Sequence, residues 1–156
     1  KKIDDILKTI LNINHGKSID FYLNKYADDL AEVLPKAPIV KGCEMFIQSL
    51  QSNQISLFIV SSGMATEIEN YLGPSRIKFF QQIFDAATAK PVALRQIMRL
   101  QFLQSSELLF LGDSNFDYKA AQEAPCEFIA INPDVVFPPE VKCFADFSVF
   151  DQTLLR

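Results

Sequence analysis

The sequence predicts an α/β fold, a three-layer doubly wound parallel sheet, and three observations carry that expectation. Short strand candidates recur from residue 39 onward, at 55–60, 82–85, 108–111 and 127–131. Between them lie stretches whose apolar residues repeat at helical spacing, the alternation that builds parallel sheets with right-handed crossovers. Ser61 and Asp113 fall where such a strand gives way to a loop, and Lys90 lies just before a helix after a short strand, all on the sheet edge where open α/β folds hold their ligands.

The elements follow in order. Ile3, Ile6, Leu7, Ile10 and Leu11 are spaced for one amphipathic helix, and residues 12–17 break it. Ser18 suits an N-cap for a second helix, with Tyr22, Leu23, Tyr26, Leu30, Val33 and Leu34 along one side. Two helices with no strand between them form a helical hairpin, which the proline-rich stretch 34–38 closes as a linker. A domain boundary is therefore expected between residues 35 and 36. A helix over 43–50 leads to the strand 55–60, which ends at Ser61-Ser62-Gly63. A helix over 66–72 should stop at Gly73-Pro74. The short strand 82–85 precedes a helix opened by Pro91, whose apolar side takes in Leu94, Ile97, Met98 and Phe102. The run 108–111 is wholly apolar and reads as a strand buried on both faces. Asp117 then begins a helix with Ala120, Ala121 and Ala124 on one side, followed by a strand at 127–131, a proline-rich loop at 133–139 and a last strand near 147–150.

Composition narrows the function classes. A chain of 156 residues can bury a proper core. Its net charge of −4 gives no electrostatic footprint for nucleic acid or an anionic membrane. No apolar run approaches a membrane span and no signal peptide opens the chain, so a cytoplasmic location is expected. Cys43, Cys126 and Cys143 are odd in number and widely spaced, which suits a reducing compartment better than a disulfide framework. His15 is the single histidine, in a turn-like break, and argues against Ser–His–Asp catalysis and multi-histidine metal sites. The chain opens at Lys1 without a methionine, which reads as a fragment of a longer product.

Three strand ends carry polar chemistry. Asp113 and Asp117 flank a strand-to-helix turn four residues apart. Two readings fit them: a hard-cation site completed by waters and a phosphate, or acids drawn to a helix N-terminus by its dipole. Ser61 and Ser62 offer hydroxyls and nearby N–H groups for a phosphate oxygen, or plain helix capping. Lys90 precedes Pro91 at a helix start, where a cation opposes the dipole unless it meets an anion.

Taken in this order and spacing, these residues resemble the haloacid dehalogenase-like (HAD) hydrolase superfamily, in particular its phosphoglycolate-phosphatase-like members, over residues 36–151. The resemblance implies a Rossmann-like core at 36–156 and a remnant of a helical cap at 1–35. It implies that Ser61, with Ser62 beside it, binds the transferred phosphoryl group, and that Lys90 neutralises charge on it. It makes Asp113 a Mg2+ ligand and Asp117 the second acid of that motif, which supports both the metal and the lysine. The expected partner is a small phosphorylated substrate, with no nucleic acid and no membrane.

One feature of the superfamily is missing from the sequence. Its first strand ends in Asp-x-Asp, which supplies the nucleophile and the general acid/base, and no Asp-x-Asp occurs here: Asp4-Asp5 has the wrong spacing and Asp20 has no partner two residues away. Ala124-Pro125 also replaces the usual Ala-Gly. The expectation is thus a Mg2+-dependent phosphatase acting through an aspartyl-phosphate, with the nucleophile segment absent from this chain and the chain inactive alone. The alternative is a non-catalytic relative that binds a phosphorylated ligand or a protein partner; a receiver-like domain fits the order of the acids less well. In the superfamily's strand order the missing strand lies between 55–60 and 108–111. An upstream segment or a strand from a second copy is expected to fill that place, and direct closure of the two strands is the least favoured arrangement.

Overall fold

The computed structural model describes residues 32–149, with positions 21, 22, 24, 25, 28 and 29 ahead of them. The chain divides into two compact units, Lys1–Pro38 and Ile39–Arg156. In the first, the described positions up to Val33 are helical and run into a 3-10 turn at Leu34–Lys36. Lys25 with Asp29 and Lys36 with Glu32 form ion pairs one helical turn apart, at 3.7 and 3.3 Å. The helix expected from Ile3 to Leu11, the turn around His15, and Asp4, Asp5 and Asp20 lie outside the described residues.

The second unit alternates strands and helices. Helix α1 (Cys43–Ser52) is followed by β1 (Phe58–Val60), α2 (Ala65–Ile77), β2 (Gln82–Phe84) and α3 (Lys90–Gln101). After a 3-10 turn at Ser105–Glu107 come β3 (Leu109–Gly112), α4 (Asn115–Glu123), β4 (Glu127–Ile131), β5 (Lys142–Phe144) and a 3-10 turn at Phe147–Val149. Among the described residues every strand pairing is parallel: β1 with β2, β3 with β4, and β4 with β5. The α/β class with parallel sheets is as the alternation predicts.

Several boundaries differ from the sequence reading, each for a local reason. The strand at 55–60 shortens to Phe58–Val60, because Gln54 turns the chain with a φ of 58° and the Ile55 amide bonds back to Leu50 of α1. The helix expected to stop at Gly73 resumes after it. Gly73 takes φ 66° and ψ 173°, a kink that only glycine adopts cheaply, and Pro74 then starts the next turn. Phe102 does not join the apolar side of α3: it caps the helix in the left-handed region and is 92% exposed. The last strand lies at Lys142–Phe144, where Ala130 and Ile131 pair with Cys143 and Phe144. Residues 147–149 instead form a turn. The Asp146 carboxylate accepts the Ser148 amide at 2.7 Å and the Ser148 hydroxyl, while the Phe147 ring stacks on Phe46 of α1 at 5.1 Å.

The core forms two clusters. Leu94, Phe110, Ala120, Ala121 and Ala124 make one; Phe84, Ala93 and Ile97 make the other. Val60 and Leu108 pack against both, and α3 lies beside both β1 and α4. The sheet itself is in two parts, because among the described residues β1 and β3 are not hydrogen-bonded to each other. Their free edges can be read from the ladders. The Leu57 carbonyl accepts Gln81 N–H and the Ser61 amide donates to Phe84, so the backbone groups of Phe58 and Val60 face away from β2. The Leu108 carbonyl accepts Glu127 N–H, which likewise turns the groups of Leu109 and Leu111 away from β4. The expected burial of β3 on both faces holds for Phe110 alone, and all of β1 is half-buried. Each strand has one described neighbour instead of two, which leaves apolar side chains partly open.

Candidate active site

The site is built at the ends of β1, β2 and β3. Gly112 closes β3, and a Cβ added there would sit 2.5 Å from Cβ and 2.7 Å from Cγ of Asp117. Only a bare Cα leaves room for that carboxylate. Ser114 and Asp117 then form a reciprocal capping box at the start of α4: the Asp117 amide donates to Ser114 Oγ at 3.3 Å, and Asp117 Oδ2 accepts Ser114 N at 3.2 Å and Ser114 Oγ at 2.6 Å. The other oxygen, Oδ1, accepts Lys90 Nζ at 2.6 Å, with the lysine side chain 20% exposed and the aspartate 5%. Lys90 is the first residue of α3, so the unfavourable position noted from the sequence is answered by a buried anion.

Electrostatics separate the two acids. Burial pushes the Asp117 carboxyl up, but hydrogen bonds from Lys90 and Ser114 and the charge of Lys90 outweigh it, and the pKa lies below the ordinary 3.8. Asp113 moves the other way: loss of hydration, then the neighbouring Asp117 charge and, more weakly, Asp134, raise it. Asp113 as a residue is exposed.

Ser61 and Ser62 stand in the loop between β1 and α2. Ser61 is half-buried and its Oγ accepts Gly63 N–H at 3.0 Å, which leaves the hydroxyl proton to donate elsewhere; Ser62 is exposed. Two bonds carry this loop to the one that leads into Lys90. Ala86 N donates to the Gly63 carbonyl at 3.0 Å, and Asp85 Oδ2 accepts Ala65 N at 3.3 Å. A contiguous set of contacts thus runs from Ser61 through 63–65 and 85–90 to Lys90, Asp117 and the end of β3. Lys90 and Asp117 meet directly, Asp113 lies within electrostatic reach of Asp117, and Ser61 and Ser62 join through the backbone. The sequence reading missed Asp85 and Ser114. An Asp closing an apolar strand before Ala-Ala-Thr was the available signal for the first, and the Ser-x-x-Asp capping spacing for the second.

Among the described residues no group of three or more His, Cys, Asp or Glu side chains is placed to hold a metal ion. A site for Mg2+ does not need one, since this ion is held by one or two carboxylates with waters and substrate phosphate. Asp113, exposed and crowded by like charge, fits as the open donor. Asp117 already accepts three hydrogen bonds and has little free capacity.

Among the described residues, no helix is long and apolar enough to cross a membrane. No curated protein matches the chain by sequence. Solved structures match by fold. A protein assigned to the haloacid dehalogenase-like hydrolases from Bacteroides fragilis superposes with a TM-score of 0.77 at 15% identity, over 92% of this chain and 75% of its own. One described as a predicted phosphoglycolate phosphatase from Haemophilus somnus gives 0.76 at 15% identity, over 99% and 74%. A subfamily IA HAD-superfamily hydrolase from Geobacter sulfurreducens gives 0.63 at 18% identity, and this chain covers 75% of itself but 61% of that protein. The sequence pattern of the family described as haloacid dehalogenase-like hydrolase matches residues 2–131, a span that holds Ser61, Lys90, Asp113 and Asp117, and the chain belongs to that family.

Proposed function

We propose that this chain is the greater part of a Mg2+-dependent phosphatase of a small phosphorylated metabolite. Its nucleophile comes from a strand outside this sequence. The observation that carries the reading is the Lys90–Asp117 pair at 2.6 Å. It holds an ammonium at the strand ends by a largely buried carboxylate, at the place where a phosphoryl group would bring its charge. Preorganised cations of this kind stabilise charge that develops in the transition state. Lys90 orients and neutralises the phosphoryl oxygens, the Ser61 hydroxyl donates to one of them, and Asp117 keeps Lys90 in place. Asp113 would hold Mg2+, which when bound adds charge neutralisation and orients the phosphate.

The nucleophile reading is supported by the backbone edges of Phe58, Val60, Leu109 and Leu111, which have no ladder partner among the described residues, and by the lack of Asp-x-Asp in the sequence. A parallel strand between β1 and β3 would pair with both edges and end beside Lys90 and Asp113. Its carboxylate would attack phosphorus to give an aspartyl-phosphate, with the alcohol of the substrate leaving, and water would then release phosphate. Residues 1–35 are the cap part of this reading.

The test is phosphate release from a panel of small phosphate monoesters. It compares residues 1–156 with the chain extended by whatever its gene encodes upstream, each with and without Mg2+. Release by the longer chain alone, and only with Mg2+, is the expected result. Turnover by residues 1–156 alone would place the nucleophile within this sequence. Silence from both would favour the alternative function, a module that binds a phosphorylated ligand or a protein. In the longer chain Asp113→Asn should lose most turnover and its response to Mg2+; an unchanged Mg2+ response would remove Asp113 as the ligand.

A further inference from the structure

We infer that Asp85 is a positioning residue that sets the Ser61 loop in register with Lys90. The inference rests on the phosphate-binding reading above. Asp85 follows β2 and joins two loops that come from different strands. Its Oδ1 accepts Ala87 N–H at 3.0 Å, which shapes its own turn, and the Thr88 amide donates to its carbonyl at 3.0 Å. Its Oδ2 reaches across to Ala65 N, the first amide of α2, at 3.3 Å. Beside this contact Ala86 N donates to the Gly63 carbonyl at 3.0 Å, and Ser61 N donates to the Phe84 carbonyl at 2.9 Å.

One carboxylate therefore fastens the far end of the 61–64 loop to the segment that ends in Lys90. From the α2 side Glu67 Oε2 accepts the Met64 amide at 3.2 Å, which ties the loop to its own helix and not to the segment that leads into Lys90. The helix has no buried residue and its N-cap is Met64, whose side chain offers no hydrogen bond to the helix start. The strand ladder fixes Ser61 at one end of the loop only. Without Asp85 the segment 62–65 would keep only the Ala86–Gly63 bond to the segment that leads into Lys90, and the hydroxyl of Ser61, tied through Gly63 N, would lose its fixed distance to the ammonium of Lys90. A site that holds one phosphoryl group from two loops depends on that distance, because small misplacements weaken both contacts together.

The test uses residues 1–156 and inorganic phosphate, followed by 15N–1H NMR, with Asp85→Ala, Lys90→Ala and the double variant. Without ligand, Asp85→Ala should speed exchange of the Ala65 and Ala86 amides by about tenfold or more while Ile97 and Ile129 keep their protection. With phosphate, Asp85→Ala should weaken binding by roughly five- to tenfold, and in the Lys90→Ala background it should weaken it hardly at all. Asp85→Asn, which keeps one acceptor oxygen, should fall between. Equal losses in both backgrounds would overturn the register role and leave Asp85 a helix cap. Unchanged exchange at Ala65 and Ala86 would overturn the clamp itself. If the unsubstituted chain binds no phosphate while Asp85→Ala still frees Ala86, the phosphate-binding reading falls and the clamp stands.

Discussion

On the β3–β4–β5 side of the second unit, Ala120, Ala121, Ala124 and Ala130 are almost completely buried, whereas α2, on the β1–β2 side, buries no residue at all. The contrast continues at the site. Asp117 is 4% exposed, packs on Gly112, and has both oxygens engaged. Ser61 is half-buried in a loop held by backbone hydrogen bonds and one carboxylate. The half that holds the charges is fixed by close packing, and the half that would meet the phosphate is fixed by a few polar contacts. Close packing resists small shifts because interiors are as dense as crystals. Polar tethers between loops open locally at lower free energy. Substitutions should therefore act differently on the two halves.

The largest effect is expected from Lys90→Ala, which leaves the Asp117 charge buried without its cation. Breaking such a pair costs on the order of 3 kcal/mol, read as a fall in urea midpoint at pH 7. The pH dependence has a definite sign. Asp117 titrates below 3.8 in the folded chain, so its contribution to stability is present above that value and lost as pH falls through the depressed one. The gap between variant and parent should therefore close in acid, where protonated Asp117 no longer needs Lys90. A gap that is the same at pH 7 and in acid would show that Lys90 stabilises by packing alone.

A matched pair of glycines sharpens the comparison. A methyl at Gly112 would lie 2.5 Å from Asp117 Cβ, while at Gly63 its nearest neighbour is Ser61 Oγ at 3.5 Å, an ordinary contact. Gly112→Ala should cost about 1–3 kcal/mol through overpacking, and Gly63→Ala less than about 0.5 kcal/mol, typical of a surface change. Thermal midpoints of the two variants decide it. Equal losses would mean that the two loops are equally constrained.

The sequence carried the packed half well and the tethered half poorly. The spacing of Ala120, Ala121 and Ala124 placed α4, and the run Glu127–Ile131 placed β4 as it stands, because periodic apolar residues report burial directly. The pair Asp113 and Asp117 was visible as two acids at a strand end, and Lys90 as a cation out of place. Their roles diverged only in the structure: Ser114 and Lys90 occupy Asp117, while Asp113 stays open. Asp85 left little trace, since a carboxylate that bridges loops twenty residues apart has no periodicity. The last strand was misplaced for a related reason. Phe147 and Phe150 look like strand residues, but Phe147 is taken up by stacking on Phe46, and the ladder belongs to the less apolar Lys142–Phe144.

The smallest expected effect is a gain, at the helix that touches both halves. Phe102 ends α3 with φ 54° and ψ 38°, its amide bonded to the carbonyls of Met98 and Arg99, and its ring 92% exposed. An L-residue in this region carries roughly 1 kcal/mol of steric cost, and glycine carries none of it. The ring returns little, because almost none of its surface leaves water. Phe102→Gly should thus stabilise the chain by up to about 1 kcal/mol, less the entropy that glycine adds to the unfolded state. Since α3 packs on β1 and on α4, the gain should appear as slower amide exchange both at Ser61, whose N–H is bonded to Phe84 at the end of β1, and at Ala121. Slower exchange at Ala121 alone would show that the two halves open independently, with α3 moving as part of the packed one. A loss of stability would show that the entropy glycine adds to the unfolded chain outweighs the steric cost of Phe102 in this conformation.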